Sequence, residues 1–356
     1  MIYYKKFKTF INESMDDFKK TIISKIKELE DNEVNKKALD EIEHLLDNIG
    51  AGSKIERVQG ELKLINDPDV NSSLKLVSKY VLSLEGTPEQ RKEMMDLWKS
   101  DEGLVYVDKL LSTGINKISD IIKNYDSNPM IKELTNDLSS YAPQGTGKCE
   151  FMLSAFSKHI TKASKGDLQI KGKMIELKTK DKAPGRFSDR EVKPTAEYSG
   201  LVIDFKKTFA DKIGKNQTDK ASISLQHLSN LYKVLDNNDK KLLTTHLEKI
   251  FSSIFPKVDS SNIKNVITLL SSGNVEKARI DYGYLSIDNY LAIKKETSAA
   301  DDGVIMIDIS KEPYTFIFFK DSKDIKAGGL SITSGSEYPI VRNETECYPK
   351  INIKTR

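Results

Sequence analysis

Cysteine, tryptophan and histidine are scarce in this 356-residue chain. The only two cysteines, Cys149 and Cys347, exclude a disulfide framework and a cysteine-built zinc site, and they indicate a reducing compartment. The four histidines show no spacing typical of metal ligands. No run approaches the roughly 18–20 apolar residues that cross a bilayer, and the first residues lack the apolar stretch of a secretory signal. We therefore expect no membrane partner.

Length and charge favour a soluble protein with more than one structural unit. The chain exceeds the size at which a single core keeps growing, and its mean hydropathy is −0.47. Its net charge is only +3, yet residues 141–200 hold twelve Lys and Arg against seven Asp and Glu, a local net charge of +5. A basic window in an otherwise slightly acidic chain suggests an anionic partner, although a lysine-rich solvated face gives the same count.

Apolar spacing divides the chain into three predicted parts. Residues 1–14 read as a short amphipathic leader helix, and 15–140 read as a helical domain, including a helix that starts at Thr87-Pro88 and one over 107–125. "YAPQGTG" then breaks the helical pattern. Residues 141–356 follow as an α/β domain. Its predicted parts are a motif core over 145–200 with a helix near 146–163, a helical part over 216–295, and strands over 303–356.

The stretch "GDLQIKGKMIELK" predicts a β-hairpin with Lys171-Gly172 as its two-residue turn. In this register, alternation turns four apolar side chains toward the core: Leu168, Ile170, Ile175 and Leu177. The same register places Asp167 directly opposite Glu176, with Lys178 on the face that these two carboxylates share. The pattern that satisfies the core therefore also brings two acidic side chains together.

Two opposed carboxylates have an ordinary explanation and a chemical one. On an exposed face, solvent screens their repulsion and Lys178 neutralises part of it. Alternatively, they hold a hard divalent cation such as magnesium, which binds through one or two carboxylates together with phosphate and water. Lys178 would then orient a nucleophilic water or stabilise developing negative charge. Glu150, at the start of the preceding predicted helix, would supply a third carboxylate.

This order of residues resembles the PD-(D/E)XK nuclease superfamily, which has the restriction-endonuclease-like fold. Asp167 matches the motif aspartate, Glu176 and Lys178 match the Glu-X-Lys pair, and Glu150 matches the acid that the preceding helix often supplies. Gly166 stands where the motif name has proline, and "GTGKCE" is similar to the glycine-rich entry of some phage members. The resemblance covers about 45 of the 356 residues.

The resemblance implies the fold class α/β (α+β), with a restriction-endonuclease-like core, a large N-terminal all-α region, and C-terminal helices plus strands. It also implies a Mg²⁺-dependent DNA endonuclease, with Mn²⁺ as a substitute. Glu150, Asp167 and Glu176 would hold the metal, and Lys178 would assist the attacking water. Basic residues of the same window would contact the phosphates of double-stranded DNA: Lys148, Lys180, Lys182, Arg186 and Arg190.

The opening "YKKFKTFINES" resembles the aromatic-basic leader of many proteins from T-even-like tailed phages. This implies a phage protein acting in the cytoplasm of an infected bacterium, or one packaged in the virion, with capsid or other phage proteins as partners. An ordinary first helix packed on the core stays open. Two other functions also stay open: a virion-internal or assembly protein that uses a nuclease-like fold as a non-catalytic DNA-binding scaffold, and a nucleic-acid-binding module serving another enzyme. A homodimer remains open too.

Overall fold

The computed structural model describes residues 86–353 except 141–146, 164–165, 182–184, 189–190, 214–221, 298–301, 327, 334–335 and 342–343. A capping box begins the first helix of this described part. The Thr87 hydroxyl accepts the Gln90 N–H at 3.3 Å, and the Gln90 side chain accepts the Thr87 N–H at 3.0 Å. Helix α1 (Pro88–Lys99) thus starts where the sequence predicts. The predicted leader over 1–14 and the helical pattern up to residue 85 lie outside the described residues.

The described residues form twelve α-helices, one 3₁₀ helix and nine strands. After α1 the helices are α2 (Val107–Leu110), α3 (Ile118–Ile121), α4 (Pro129–Ser140), α5 (Glu150–Phe156), α6 (Tyr198–Thr208), α7 (Ala210–Ile213), α8 (Leu225–Val234), α9 (Asn237–Ile254), α10 (Ser260–Ser271), α11 (Val275–Glu296), α12 (Ser322–Lys326) and the 3₁₀ helix Glu344–Cys347. The strands are β1 (Gly114–Lys117), β2 (Ile160–Lys162), β3 (Leu168–Ile170), β4 (Lys173–Lys180), β5 (Gly185–Arg186), β6 (Gly303–Asp308), β7 (Thr315–Phe319), β8 (Leu330–Ile332) and β9 (Lys350–Ile353). The architecture is therefore mixed α/β, as predicted. Among the described helices, none is long and apolar enough to cross a bilayer.

The described chain separates into two compact units. The first unit consists of 86–112, Asn116–Thr179 and Ile305–Phe318, and the second consists of Thr113–Ile115, Lys180–Val304 and 319–353. The division into domains predicted near residue 141 stays a prediction.

A six-stranded sheet with the order β1-β7-β6-β4-β3-β2 organises the first unit. The β2–β3 and β3–β4 pairs are antiparallel. One apolar cluster joins the helices α1 to α5 to this sheet, and its members include Met130, Leu134, Phe151, Phe156, Ile175, Ile305 and Phe316. The strands predicted from "GVIMID" and "TFIFF" are confirmed as β6 and β7 of this sheet.

Packed helices and a small sheet of order β5-β9-β8 form the second unit. The helices predicted from "KASISLQHLSNLYKVLD", "KKLLTTHLEKIFSSIF" and "SNIKNVITLLSSG" are confirmed as α8, α9 and α10, and α11 follows them within the predicted helical part over 216–295. The two final predicted strands are confirmed as β8 and β9. Aromatic side chains fill much of its interior, and the buried tyrosines find polar partners. The Tyr282 hydroxyl donates to the carbonyl of Cys347 at 2.8 Å, and the Tyr348 hydroxyl donates to that of Ile254 at 2.9 Å.

The predicted hairpin register is confirmed. In the β3–β4 ladder Leu168 pairs with Ile175, Gln169 with Met174, and Ile170 with Lys173. The connecting residues Lys171 and Gly172 have φ values of 48° and 82°. Positive φ at both positions is the signature of a type I′ turn, whose twist matches that of the flanking strands.

Two helix predictions were wrong. The helix expected near 146–163 ends at Phe156, because the next residue, Ser157, adopts extended angles and residues from Ile160 onward pair with β3 as strand β2. The helix expected over 107–125 is interrupted by β1, so the described part of the predicted all-α region is not all helical. Gly114 has φ 119°, which no α-helix accommodates, and the chain after it joins the edge of the sheet.

The left-handed turn residue Gly172 offers a test of the hairpin. A Cβ at Gly172 would have no atom within 4 Å, so Gly172→Ala changes only the backbone cost, and we expect destabilisation of about 1–2 kcal/mol. Gly200 is also sterically open but lies in helix α6, so Gly200→Ala should stabilise by about 0.5–1 kcal/mol. Chemical denaturation of both variants measures the two changes. Equal effects of the same sign would contradict the type I′ turn.

Candidate active site

The four acidic and basic residues singled out by the motif all belong to the first unit. Glu150 is the first residue of helix α5, and Asp167 directly precedes strand β3. Glu176 and Lys178 lie two residues apart on β4, so strand alternation puts both side chains on one face of the sheet. The confirmed register therefore brings Asp167 and Glu176 to neighbouring positions at one end of the hairpin.

Helix α5 is only seven residues long, and tertiary contacts hold it in place. All of its residues after Glu150 are buried. The Trp98 indole N–H donates to the carbonyl of Ala155 at 3.0 Å, and the backbone N–H of Leu104 donates to that of Phe156 at 2.9 Å. These bonds satisfy carbonyls that the helix end leaves without an internal partner. Trp98 thus caps the helix that carries Glu150.

A glycine allows this close contact at the end of α5. Gly103 has φ 70°, and a Cβ added there would collide with the carbonyl oxygen of Phe156. Only glycine lets the backbone of 103–104 approach the end of α5 this closely. The position of Glu150 therefore depends on a residue far outside the motif.

Glu150 lies in an environment that disfavours its negative charge. Burial, followed by the negative charge of Asp167 and more weakly that of Glu176, raises the pKa of the Glu150 carboxyl to about 7. The N–H of Gly147, which donates to Oε1 of Glu150 at 2.7 Å, opposes the shift, as does the positive charge of Lys162. The carboxyl is therefore poised to gain from a cation nearby.

The other two carboxylates are also engaged by the surrounding protein. The backbone N–H of Leu177 donates to Oδ2 of Asp167 at 2.7 Å. Glu176 is only 4% exposed, and Nζ of Lys178 bonds its Oε1 at 2.9 Å. A carboxylate this deeply buried needs its charge balanced, and the half-buried lysine supplies the balance.

The donor chemistry at this site suits a hard cation, because carboxylate oxygens are the ligands that magnesium takes from proteins. Within the described part of the chain, however, no group of three or more His, Cys, Asp or Glu side chains is arranged to hold a metal ion. Glu150, Asp167 and Glu176 interact electrostatically without closing around a common point. Each of these carboxylates has a separate partner in the protein, Gly147, Leu177 or Lys178.

Lys162 is a member of the site that sequence reasoning missed. It ends β2 opposite Leu168, the residue after Asp167, and its charge acts on Glu150. The alternation in "ITK" and its pairing with "LQI" would have placed it here, but the segment was assigned to a helix. The site thus holds two lysines, Lys162 and Lys178, beside its three carboxylates.

The predicted phosphate-contacting residues belong to different structural units. Lys148 lies two residues before Glu150 in the first unit, whereas Lys180, the last residue of β4, and Arg186 belong to the second unit. The Nε of Arg186 donates to the carbonyl of Tyr348 at 3.0 Å, so this side chain also ties β5 to the chain before β9. Lys182 and Arg190 lie outside the described residues.

No protein-family model, curated protein or solved structure matches this chain.

The raised pKa of Glu150 has a consequence for stability that can be tested without metal. Because the folded pKa of about 7 exceeds the ordinary value of 4.5, the unfolded chain releases this proton at lower pH, and ionisation destabilises the folded state as pH rises through this window. Glu150→Gln removes this loss of stability, because glutamine does not ionise. We expect its melting temperature, relative to the natural chain, to increase steadily from about pH 5 to about pH 8.

Asp137→Asn is a control that separates the pH dependence caused by Glu150 from that of another buried acid. Burial alone raises the pKa of Asp137, on α4, to about 6. Asp137→Asn should also weaken the pH dependence, but added Ca²⁺ should not change its contribution, whereas Ca²⁺ should suppress that of Glu150. Parallel melting curves for the natural chain and Glu150→Gln across this pH range would show that Glu150 is not buried among negative charges.

Proposed function

We propose that the chain is a magnesium-dependent DNA endonuclease that hydrolyses phosphodiester bonds. The observation that carries the proposal is the placement of Glu150 within electrostatic reach of Asp167 and Glu176, while Lys178 bonds the latter. Gathering carboxylates in half-buried surroundings costs stability, since burial and repulsion both oppose their ionisation. Perturbed groups of this kind cluster at functional sites, which supports a catalytic role.

The proposed reaction assigns a role to each side chain. Magnesium, when bound, supplies a Lewis acid for a phosphate oxygen and an activated water as nucleophile. Glu150, Asp167 and Glu176 would hold it through their carboxylate oxygens. Lys178 would set its positive charge beside the negative charge that develops on the phosphate, where a water-poor setting strengthens the interaction. The raised pKa of Glu150 implies that its proton leaves when a cation arrives.

The proposal extends to the restriction-endonuclease-like fold and to a phage origin. The order α5, β2, β3, β4 and the confirmed hairpin register support the resemblance to PD-(D/E)XK nucleases over residues 150–178. The leader-like residues 1–14 lie outside the described part of the chain. Action in the cytoplasm of an infected bacterium and packaging with other phage proteins thus stay proposals based on the sequence.

Double-stranded DNA is the proposed substrate, held through its phosphates. Lys148 lies two residues before Glu150 along the chain and is the strongest candidate for a phosphate contact. Arg186 is a poorer probe of DNA binding, because removing its guanidinium also removes the bond to Tyr348. Phosphate contacts position a protein on DNA without reading its sequence.

A second function, a DNA-binding scaffold without catalysis, is favoured by one observation. The described residues contain no ready group of three metal ligands. In this alternative, Lys162 and Lys178 neutralise the carboxylates permanently and the fold serves a virion-internal or assembly protein. DNA binding that is unchanged by Mg²⁺, together with uncut DNA, would favour it.

Substitutions in β4 test the catalytic proposal. Glu176→Gln and Lys178→Ala should each reduce Mg²⁺-dependent nicking of supercoiled plasmid by more than about 100-fold. Glu176→Gln removes a carboxylate that would hold the metal, and Lys178→Ala removes the positive charge beside the phosphate. Lys178→Ala should also lower the melting temperature more than Glu176→Gln, since it leaves the buried carboxylate without that lysine. Lys173→Ala, an exposed lysine on the same strand, is the matched control and should cut normally. Nicking retained by either site variant would reject these roles.

The salt dependence of binding tests the phosphate contacts. Affinity for duplex DNA should fall by about 0.9 log units per log unit of salt for each phosphate neutralised. Lys148→Ala should weaken binding to two unrelated duplexes by similar factors and reduce that slope by about one. Lys233→Ala, at an exposed position in α8, serves as the control. Fluorescence anisotropy in Ca²⁺ measures binding with little cleavage, and a slope near zero would contradict the phosphate model.

A further inference from the structure

We propose that Thr179 is a positioning residue for Glu150, because its hydroxyl fastens the segment before helix α5 to the strand that carries Glu176 and Lys178. The catalytic consequence of this contact rests on the proposed function. The contact itself is a feature of the fold and can be tested separately.

The bond joins two segments that are distant in sequence. Oγ1 of Thr179 donates to the backbone carbonyl of Lys148 at 2.6 Å. Thr179 follows Lys178 on β4, and alternation places it on the opposite face of the strand, together with the buried Ile175 and Leu177. Its hydroxyl therefore links the core-facing side of β4 to a point two residues before Glu150.

The segment 147–149, which this bond holds, has an unfavourable backbone conformation. Cys149 has φ 66°, in the left-handed region that residues with a Cβ rarely adopt because their Cβ crowds the following carbonyl oxygen there. Its side chain is fully buried, and its Sγ donates to the carbonyl of Ser139 at 3.5 Å. Such a conformation persists only where the surroundings hold it, and the Thr179 bond to the adjacent residue is one of the contacts that do so.

The same segment determines where the Glu150 carboxylate lies. The N–H of Gly147 bonds Oε1 of Glu150 at 2.7 Å, and a Cβ at position 147 would collide with that oxygen. A displacement of Lys148 shifts its neighbour Gly147 and so changes the partner of Glu150. Thr179 thus acts through the backbone of Lys148, and its side chain would touch neither metal nor DNA.

Valine and serine at position 179 separate the hydroxyl from the shape of the side chain. Thr179→Val keeps the branched shape, which suits a strand, and removes the donor. Thr179→Ser keeps the donor and removes a methyl group. Thr161→Val makes the same substitution in β2, where the residue pairs with Gln169, and serves as the control. Gly147→Ala displaces the Glu150 carboxylate directly and shows the effect of full misplacement.

Two measurements on the full chain report positioning without relying on cleavage. Hydrogen exchange of the Gly147 amide, followed by NMR of glycine-labelled protein, reports its bond to Glu150. Calorimetry with Ca²⁺ reports metal affinity. We expect Thr179→Val to accelerate the exchange and weaken Ca²⁺ binding by about 10-fold or more, the range found for residues that orient metal ligands. In Thr179→Ser and Thr161→Val, both the Gly147 exchange rate and the Ca²⁺ affinity should stay within about twofold of those of the natural chain.

The outcomes distinguish failure of this inference from failure of the proposed function. If Thr179→Val leaves both the Gly147 exchange and the Ca²⁺ affinity unchanged, or if Thr179→Ser behaves like valine, the positioning role is wrong. If the natural chain neither binds Ca²⁺ nor cuts DNA, the proposed function is wrong, and the Gly147 exchange alone then decides the positioning role. If Thr179→Val does not fold, Thr179→Ser decides the question. Slow Gly147 exchange and unchanged Ca²⁺ affinity in Thr179→Ser support the role of the hydroxyl, and fast Gly147 exchange in this variant rejects it.

Discussion

Four apolar side chains of one hairpin, Leu168, Ile170, Ile175 and Leu177, must face the core of the first unit together. Strand alternation allows this in one register only, and the type I′ turn has the length and twist for that register. The charged residues that alternate with them, Asp167, Glu176 and Lys178, are then turned to the other face. Hydrophobic burial, rather than attraction among the charges, therefore sets the arrangement of the candidate site.

The electrostatics of the site follow from that assembly. Carboxylates placed by core packing must be stabilised where they stand, and the chain uses a backbone amide for Glu150, another for Asp167, and a lysine for Glu176. The compensation is incomplete at Glu150, whose pKa is about 7. A site with fully balanced charges would have less affinity for a cation, so incomplete compensation is consistent with the proposed metal-binding role.

The sequence alone predicted the mixed α/β class, the start of α1, the C-terminal strands and the hairpin. Alternation and turn chemistry are local signals, and for the hairpin they agree with burial. The end of α5 and strand β1 were mispredicted because distant residues decide them. Ser157 ends the helix as the chain turns to pair with β3, and Gly114 leads it to the sheet edge. The contributions of Trp98 and Thr179 to the site are tertiary contacts with no local signal, whereas the strand alternation that places Lys162 was missed because its segment was assigned to a helix.

The hairpin also limits how the length of this chain can change during evolution. Many substitutions in β4 would alter the chemistry of the site and leave its geometry intact. Deleting one residue between the turn and Glu176 would instead move that carboxylate to the core-facing side and an apolar residue to the charged side. Related chains should therefore vary in residue type along β4 more freely than in the number of residues that separate the turn from the Glu-X-Lys pair.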